Sequence, residues 1–307
     1  MIARTKNLPV GAIATTVGLA TLSNVYGAQG FSSVRYLTLV FACGMWLLAL
    51  MKLTLHRQTF LEEYAQVVPA SLYATFTMLT MIVGSFLFEF VPTLGRGLWL
   101  AGVILHAIHI GVFTYRNILR GVKRDTFVPS WFVTYAGILV AVVVGVPMGM
   151  PALLRGLMFY GFGLYVVLFP IMVVRLFKHP LLPQFGMTPV ILLAPTSLVL
   201  VGYLNAFAEG IQPWIVSGLS VILGITLVYV ASNLSLFLNK PFNPGHAALT
   251  FPTAIALVAT MRLAGYLYSL EHVIASQWVG YLFGVQLWVT TGIMAYVGFG
   301  FFLKKAS

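Results

Sequence analysis

PSWFVTYAGILVAVVVGVPM, residues 129–148, runs for twenty residues without a charged side chain. A helix that crosses the hydrocarbon core of a membrane needs about 20 mostly apolar residues. We therefore predict that this stretch is a transmembrane span. Its first residue, Pro129, stands where a helix tolerates proline, because an N–H group in the first turn has no intrahelical acceptor.

Pro129 belongs to a series of regularly spaced prolines. Pro9, Pro69, Pro129 and Pro189 are 60 residues apart, and Pro252 follows 63 residues later. Each lies at or near the start of an apolar stretch, which predicts five helical hairpins of similar length. The ten predicted spans cover residues 9–27, 36–55, 69–88, 97–115, 129–148, 153–175, 188–207, 213–238, 244–266 and 277–302. We expect residues 1–307 to form a single transmembrane domain, since almost no chain remains for a soluble one.

The composition favours the same fold class, an all-α integral membrane protein with ten transmembrane helices. Hydrophobic residues make up 60% of the chain and charged residues 7%, and the mean hydropathy is +0.97. A soluble domain has roughly 25% charged residues. The first span is longer than the apolar region of a signal peptide and lacks a clear cleavage site, so we expect it to remain in the membrane.

The net charge of +11 is distributed unevenly along the chain. The loops that follow odd-numbered spans hold only three basic residues, Arg35, Arg96 and Arg155. The termini and the other loops hold thirteen: Arg4, Lys6, Lys52, Arg57, Arg116, Arg120, Lys123, Arg124, Arg175, Lys178, Lys240, Lys304 and Lys305. Because short basic loops stay in the cytoplasm, we expect both termini there. Anionic lipid accounts for the basic loops, and we expect no nucleic-acid partner.

No enzyme motif is present, and we predict that the chain is not an enzyme. It has no Gly-rich phosphate loop, no HExxH sequence and no paired carboxylates within its spans. His106 and His109 share one face of the fourth span. A structural metal needs more ligands than this pair supplies, so we expect neither a metal nor a cofactor. A haem- or quinone-binding redox protein that uses the pair remains an alternative. His246 either responds to pH or is a wetted residue at a helix end.

Small and hydroxyl residues recur at helical spacing in the odd-numbered spans. Two interpretations compete: close packing of helices with hydrogen bonds between them, or a central path lined by hydroxyl groups. Prolines inside the seventh and ninth spans favour the path, because each disturbs a carbonyl one turn back. The candidate lining residues are Thr15, Gly18, Thr77, Thr80, Thr134, Gly137, Pro195, Thr196, Thr250, Pro252 and Thr253.

The most specific stretch is NPGHAALTFPT, residues 243–253. It resembles the ninth helix of the tellurite-resistance/dicarboxylate transporter family, which includes bacterial TehA and the slow anion channels of plant guard cells. The family pattern is Ser/Thr-Phe-Pro/Gly, and residues 250–252 match it. Residues 8–11, LPVG, and 18–20, GLA, are similar to the family's first helix. Ala247 and Ala248 depart from the pattern, since relatives often have aromatic residues there.

The resemblance implies an architecture and a gate. Odd-numbered helices would form an inner ring with quasi-five-fold symmetry around a central pore, and even-numbered helices an outer ring. Three such protomers would associate in the bacterial inner membrane, each with its own pore. The aromatic residue of the ninth-helix motif plugs the pore in this family, which assigns that role to Phe251.

The expected function is an anion channel or channel-like transporter, with small inorganic or organic anions as its substrates. An alternative is a proton-coupled exporter of dicarboxylate, sulfite or another weak acid. Arg262 lies roughly 16 Å beyond Phe251 along the helix. It either extends its charge to the membrane surface or attracts anions into an outer vestibule.

Overall fold

The computed structural model describes residues 5–239 and 241–303, and all regular structure in these residues is helical. Four of the basic residues counted above, Arg4, Lys240, Lys304 and Lys305, lie outside the described residues. Eight helices in the described part of the chain are long and apolar enough to cross a membrane. They correspond to eight of the ten predicted spans, the first and the fifth being the exceptions.

The α-helices are joined by turns, short helical segments and irregular stretches of differing length. In chain order they are α1 Val10–Ala28, α2 Ser32–Leu55, α3 Arg57–Tyr64, α4 Val67–Leu72, α5 Ala74–Phe88, α6 Pro92–Thr114, α7 Trp131–Tyr135, α8 Val140–Val144, α9 Pro151–Lys178, α10 Leu193–Ala206, α11 Pro213–Leu238, α12 Thr250–Ser269 and α13 Val273–Gly298. Stretches of 3₁₀ helix precede α8, α10 and α12, at Gly137–Leu139, Thr188–Leu192 and Pro244–Leu249.

Residues 129–148 do not form one continuous helix. They divide into α7, a 3₁₀ turn, α8 and a further 3₁₀ turn at Val146–Met148. Pro147 has no N–H group for the carbonyl one turn back, at Val143. The amide of Asn205 donates to the carbonyls of Val142 and Val143 at 3.2 Å. A neighbouring helix therefore supplies the donors that the broken helix lacks.

The regularly spaced prolines lie close to helix starts. Pro9 is the N-cap of α1, and Pro189 is the second residue of a 3₁₀ turn. Pro195 and Pro252 are each the third residue of an α-helix, directly after a 3₁₀ segment. An N–H group in the first turn of an α-helix has no intrahelical acceptor, so a proline there leaves no carbonyl of the helix unpaired. The irregular 3₁₀ backbone lies before each of these two prolines.

Two groups of helices differ sharply in burial. In the most apolar window of Val67–Phe88, Thr188–Ala206 and Pro244–Ser269, 78%, 89% and 67% of residues are buried. The corresponding share is only 22–28% for the long helices α2, α6, α9, α11 and α13. We call the first group, together with α1, α7 and α8, the inner helices, and the second group the outer helices.

Contacts between the inner helices form a closed circuit. α1 packs on α5, α5 on α8, α8 on α10, α10 on α12, and α12 returns to α1. Each outer helix packs on an inner one: α2 on α1, α6 on α5, α9 and α11 on α10, and α13 on α12. The outer helices consequently leave many large apolar side chains exposed, as a lipid environment requires.

Candidate functional site

A cavity of about 640 Å³ lies inside the circuit of inner helices. Five inner segments, α1, α4 with α5, α7 with α8, α10 and α12, contribute to its wall, for example through Thr21, Ser85, Val143, Asn205 and Val258. Arg262 lies at the end of this cavity that is farther from Phe251 along α12. We call this cavity the vestibule.

A second cavity, of about 30 Å³, is also lined by all five inner segments. Ala14, Met78, Gly137, Leu198 and Ala248 represent the five segments in its wall. It can hold a water molecule but is too small for a hydrated anion. We call it the lower pocket.

Phe251 separates the two cavities. Within the described chain it is the one residue that lines both the vestibule and the lower pocket. Its side chain is 7% exposed, so the surrounding inner helices enclose the ring almost completely. The ring of Phe251 therefore lies between the two cavities.

Helix α1 packs closely against the backbone of Phe251. A Cβ atom added to Gly18 would lie 2.8 Å from the Phe251 amide nitrogen and 2.9 Å from the Thr250 carbonyl carbon. The Met294 methyl group of α13 would also be 2.8 Å away. Only glycine allows the two backbones to approach this closely, a common device where helices pack in membranes.

The vestibule contains charged side chains, and two of them neutralise each other. Arg35 donates from Nη1 to Glu89 Oε2 at 3.0 Å, and its Nη2 pairs with the other carboxylate oxygen. Arg35 Nε also donates to Asn24 Oδ1 at 2.9 Å. Arg262 is exposed and forms no ion pair among the described residues. Among the described residues, the wall of the vestibule therefore has one positive charge without a carboxylate partner.

Comparison with known proteins places the chain in a family. The family model described as SLAC1, voltage-dependent anion channel, matches residues 7–298. The chain belongs to the SLAC1 family. This confirms the resemblance to TehA and the plant slow anion channels. A search of curated proteins finds no match.

Membership of the SLAC1 family fixes the general class of the molecule. This is a family of anion channels and transporters rather than of enzymes. Together with the eight apolar helices, it makes the chain a multi-pass membrane protein with anions as substrates.

Four of the residues expected at a SLAC1-type pore line the cavities. Gly137 and Pro252 face the lower pocket, Phe251 faces both cavities, and Arg262 faces the vestibule. Asn24 and Asn205, which also line the vestibule, were missed in the sequence. Single asparagines near span ends have no spacing that distinguishes them from loop residues.

The other candidate lining residues lie at contacts between helices. Thr77 bonds to His106 Nδ1 at 2.6 Å, Thr80 accepts from Trp46 Nε1 at 2.9 Å, and Thr196 bonds to the Tyr165 hydroxyl at 3.1 Å. These partners belong to α6, α2 and α9, so the hydroxyl groups face outer helices. The carbonyl and hydroxyl oxygens of Thr134 likewise bond to α6, through His106 and His109.

The remaining candidates are buried within or between inner helices. Thr15, Thr250 and Thr253 donate to carbonyls of their own segments at 2.8, 2.8 and 2.7 Å. Gly18 forms the close contact with α12, and Pro195 is buried in α10. None of these five lines either cavity in the described structure.

The histidine pair of α6 is fully engaged in hydrogen bonds. Besides its bond to Thr77, His106 bonds through Nε2 to the Thr134 carbonyl at 2.8 Å. His109 bonds through Nδ1 to the Tyr64 hydroxyl at 3.0 Å and through Nε2 to Thr134 Oγ1 at 3.2 Å. All four ring nitrogens of the pair therefore have hydrogen-bond partners. The described residues also include no group of three or more His, Cys, Asp or Glu that can hold a metal.

His246 is not wetted, which corrects one of the two interpretations made from the sequence. Its side chain is 0% exposed, and its ring stacks on Phe242 with centroids 5.4 Å apart. Its Nδ1 accepts from the backbone N–H of Asn243 at 3.2 Å. The aromatic neighbours of the C-terminal segment cover the ring, and sequence position alone did not indicate them.

Proposed function

We propose that the chain is an anion channel or channel-like transporter whose path runs along the axis of the inner helices and is closed by Phe251. One observation carries this proposal: Phe251 is the one residue, within the described chain, shared by two cavities that all five inner segments line. A bulky apolar ring in a narrow path blocks ions by contact and by excluding water. The ring must move aside before conduction.

The charges in the path support anions as the permeant species. Glu89 is neutralised by Arg35, whereas Arg262 keeps its charge free of carboxylate partners in the described chain. The lower pocket has no charged side chain in its wall. Anions that shed water easily should therefore pass better than strongly hydrated ones, and selectivity among them should be weak.

The larger architecture is part of the same proposal. Ten spans would form five hairpins around the axis in a single transmembrane domain, with α1 as the first span and residues 129–148 as the fifth. Both termini would lie in the cytoplasm of a bacterial cell, with the vestibule opening outward. A homotrimer with one pore per protomer fits the observation that one chain encloses both cavities.

Electrical recording of the purified protein in planar bilayers tests the proposal. A salt gradient should shift the reversal potential towards the equilibrium potential of the anion, and nitrate should carry more current than chloride. A cation-selective current would contradict the proposal. Transport that requires a proton gradient, without channel-like currents, would instead identify a proton-coupled exporter.

A further inference from the structure

An apolar groove of about 730 Å³ lies between α6 and α9, outside the inner circuit. Its floor includes Trp131 and Tyr135 of α7, and its lining runs along α9 from Tyr160 to Ile171. The hydroxyl of Tyr135 pairs with that of Thr114 at 2.9 Å, so these two polar atoms satisfy each other. The groove offers a ligand an apolar surface.

The groove opens sideways, towards the position of the lipid. Val167 is 60% exposed and Ile171 is 52% exposed, although both line the groove. The eleven residue steps from Tyr160 to Ile171 correspond to about 16 Å of helix. One leaflet of the hydrocarbon core is about 15 Å thick, half of the whole. The groove thus matches the length of one acyl chain in a single leaflet.

Positive charge is concentrated at one end of the groove. Arg124 lines it there, and Arg175 lies one helical turn beyond Ile171 on α9. Neither arginine forms an ion pair within the described residues. Arg124 Nη2 is 2.6 Å from Nδ1 of His179. Partial desolvation, aided by the charges of Arg124, Arg175 and Lys178, lowers the pKa of His179 and so favours the neutral ring, which can accept this hydrogen bond.

Arg175 does not line the groove, but it shares His179 as a hydrogen-bond partner with Arg124, which does. Its side chain is 7% exposed, and its Nη1 donates to the carbonyl of His179 at 2.7 Å. Its Nε is buried and has no hydrogen-bond partner among the described residues. A buried donor on a charged group that lacks a partner is costly, and an anionic oxygen is the acceptor that such a group prefers.

We propose that the groove between α6 and α9 binds an anionic phospholipid, with one acyl chain along α9 and the phosphate beside Arg124 and Arg175. A zwitterionic phospholipid fits less well, because its own cationic group would approach the same arginines. A peptide fits less well too, since the groove matches a single acyl chain in length and has its charge at one end. The proposal is independent of the anion path inside the inner helices.

Native mass spectrometry of the detergent-purified protein tests the headgroup. Phosphatidylglycerol and phosphatidylcholine with the same acyl chains are added separately, and the retained lipid is counted. We expect preferential retention of phosphatidylglycerol. Arg124→Gln should weaken that retention about fivefold, which corresponds to about 1 kcal/mol. Arg57→Gln, an exposed basic residue of α3 outside the groove, is the matched control and should change nothing.

A second pair of variants tests the groove itself. Val166 and Val167 are neighbours on α9 and are 54% and 60% exposed, but only Val167 lines the groove. Val167→Trp should fill the groove and reduce retention of phosphatidylglycerol, whereas Val166→Trp should not. Both side chains are exposed, so both variants should keep the thermal stability of the parent.

Four outcomes would overturn the proposal. Equal retention of the two lipids would remove the role of the arginines. Loss of retained phosphatidylglycerol when inorganic phosphate alone is added would show an anion site without an acyl-chain groove. Unchanged lipid retention in Val167→Trp would place the lipid elsewhere. A change in the number of chains per particle in Val167→Trp, with lipid retention intact, would show that a second copy of the chain covers the groove.

Discussion

The vestibule and the lower pocket lie on opposite sides of one aromatic ring, yet they differ in size, polarity and charge. The vestibule measures about 640 Å³ and contains Arg35, Glu89 and Arg262. The lower pocket measures about 30 Å³, and its wall is apolar except for Thr75. Under the proposed function, attraction and exclusion of an ion take place at different positions. Charge would attract anions into the vestibule, whereas a steric and apolar barrier at Phe251 would exclude them.

Removing the Phe251 ring should join the vestibule to the lower pocket. Phe251→Ala should raise the anion current on the order of tenfold or more, because an apolar plug controls the whole current. Phe251→Leu should raise it less, since leucine fills more of the gap. The measurement is anion current at matched surface expression.

Phe159→Ala provides the control for the loss of an aromatic ring. Phe159 is 67% exposed on α9 and lines neither the vestibule nor the lower pocket. Its removal should leave the current unchanged. A well-folded Phe251→Ala variant that conducts no more than the parent would show that Phe251 is not the gate.

The close contact between Gly18 of α1 and the backbone of Phe251 can be disrupted without changing the ring itself. Gly18→Ala puts a methyl group 2.8 Å from the Phe251 amide nitrogen. Because neither backbone can yield freely, we expect the free energy of unfolding to fall by about 1–3 kcal/mol. Thermal unfolding in detergent measures this change.

Gly44→Ala is the matched glycine variant in α2. No atom lies within 4 Å of a Cβ atom added there. It should be neutral or more stable than the parent by about 0.5–1 kcal/mol, since alanine favours a helix over glycine. Equal destabilisation by the two changes would mean that α1 and α12 do not depend on their close approach at Gly18.

The sequence indicated where the inner helices begin, and it led to the proposal that Phe251 closes the path. Prolines at helix starts act locally, so the spacing of Pro9, Pro69 and Pro189 predicts these starts without knowledge of the fold. The assignment of Phe251 came from a motif of residues adjacent in the chain. It remains a proposal, although the position between two cavities supports it.

The orientation of the hydroxyl groups could not be predicted in this way. Helical spacing shows that Thr77 and Thr80 share a stretch of α5, but not which neighbour they face. Inside a bundle every face of an inner helix is buried, so polarity does not mark the side towards the axis. The partners Trp46 and His106 belong to outer helices and are distant in sequence. The pairing of Arg35 with Glu89, 54 residues apart, was hidden for the same reason.

Loss of the hydrogen bond between the Thr80 hydroxyl and Trp46 should have a smaller effect on stability. Thr80→Val removes the acceptor of Trp46 Nε1 and should reduce stability by about 0.6 kcal/mol, the average for such bonds between membrane helices. Anion current in the Phe251→Ala background should not change, because Thr80 faces α2. Thr54→Val, at an exposed residue bonded only to its own helix, should leave stability unchanged. A shift in current with Thr80→Val would place this hydroxyl on the conduction path.

Substitution of the charged vestibule residues should have the smallest effect on the anion current, and this effect should depend on the salt concentration. A unit charge about 8 Å from an ion in water contributes about 0.5 kcal/mol, or roughly a factor of two in local concentration. In the Phe251→Ala background, Arg262→Gln should therefore lower the anion current about twofold at low salt. Glu89→Gln should raise it by a similar factor, since it frees the charge of Arg35.

Arg96→Gln, at an exposed residue outside the vestibule, is the control for the same change of charge. All three currents should converge with that of the Phe251→Ala background near 1 M salt, where screening acts within about 3 Å. If Arg262→Gln lowers the current equally at low and high salt, Arg262 acts by direct contact with the ion, and the separation of attraction from exclusion has to be abandoned.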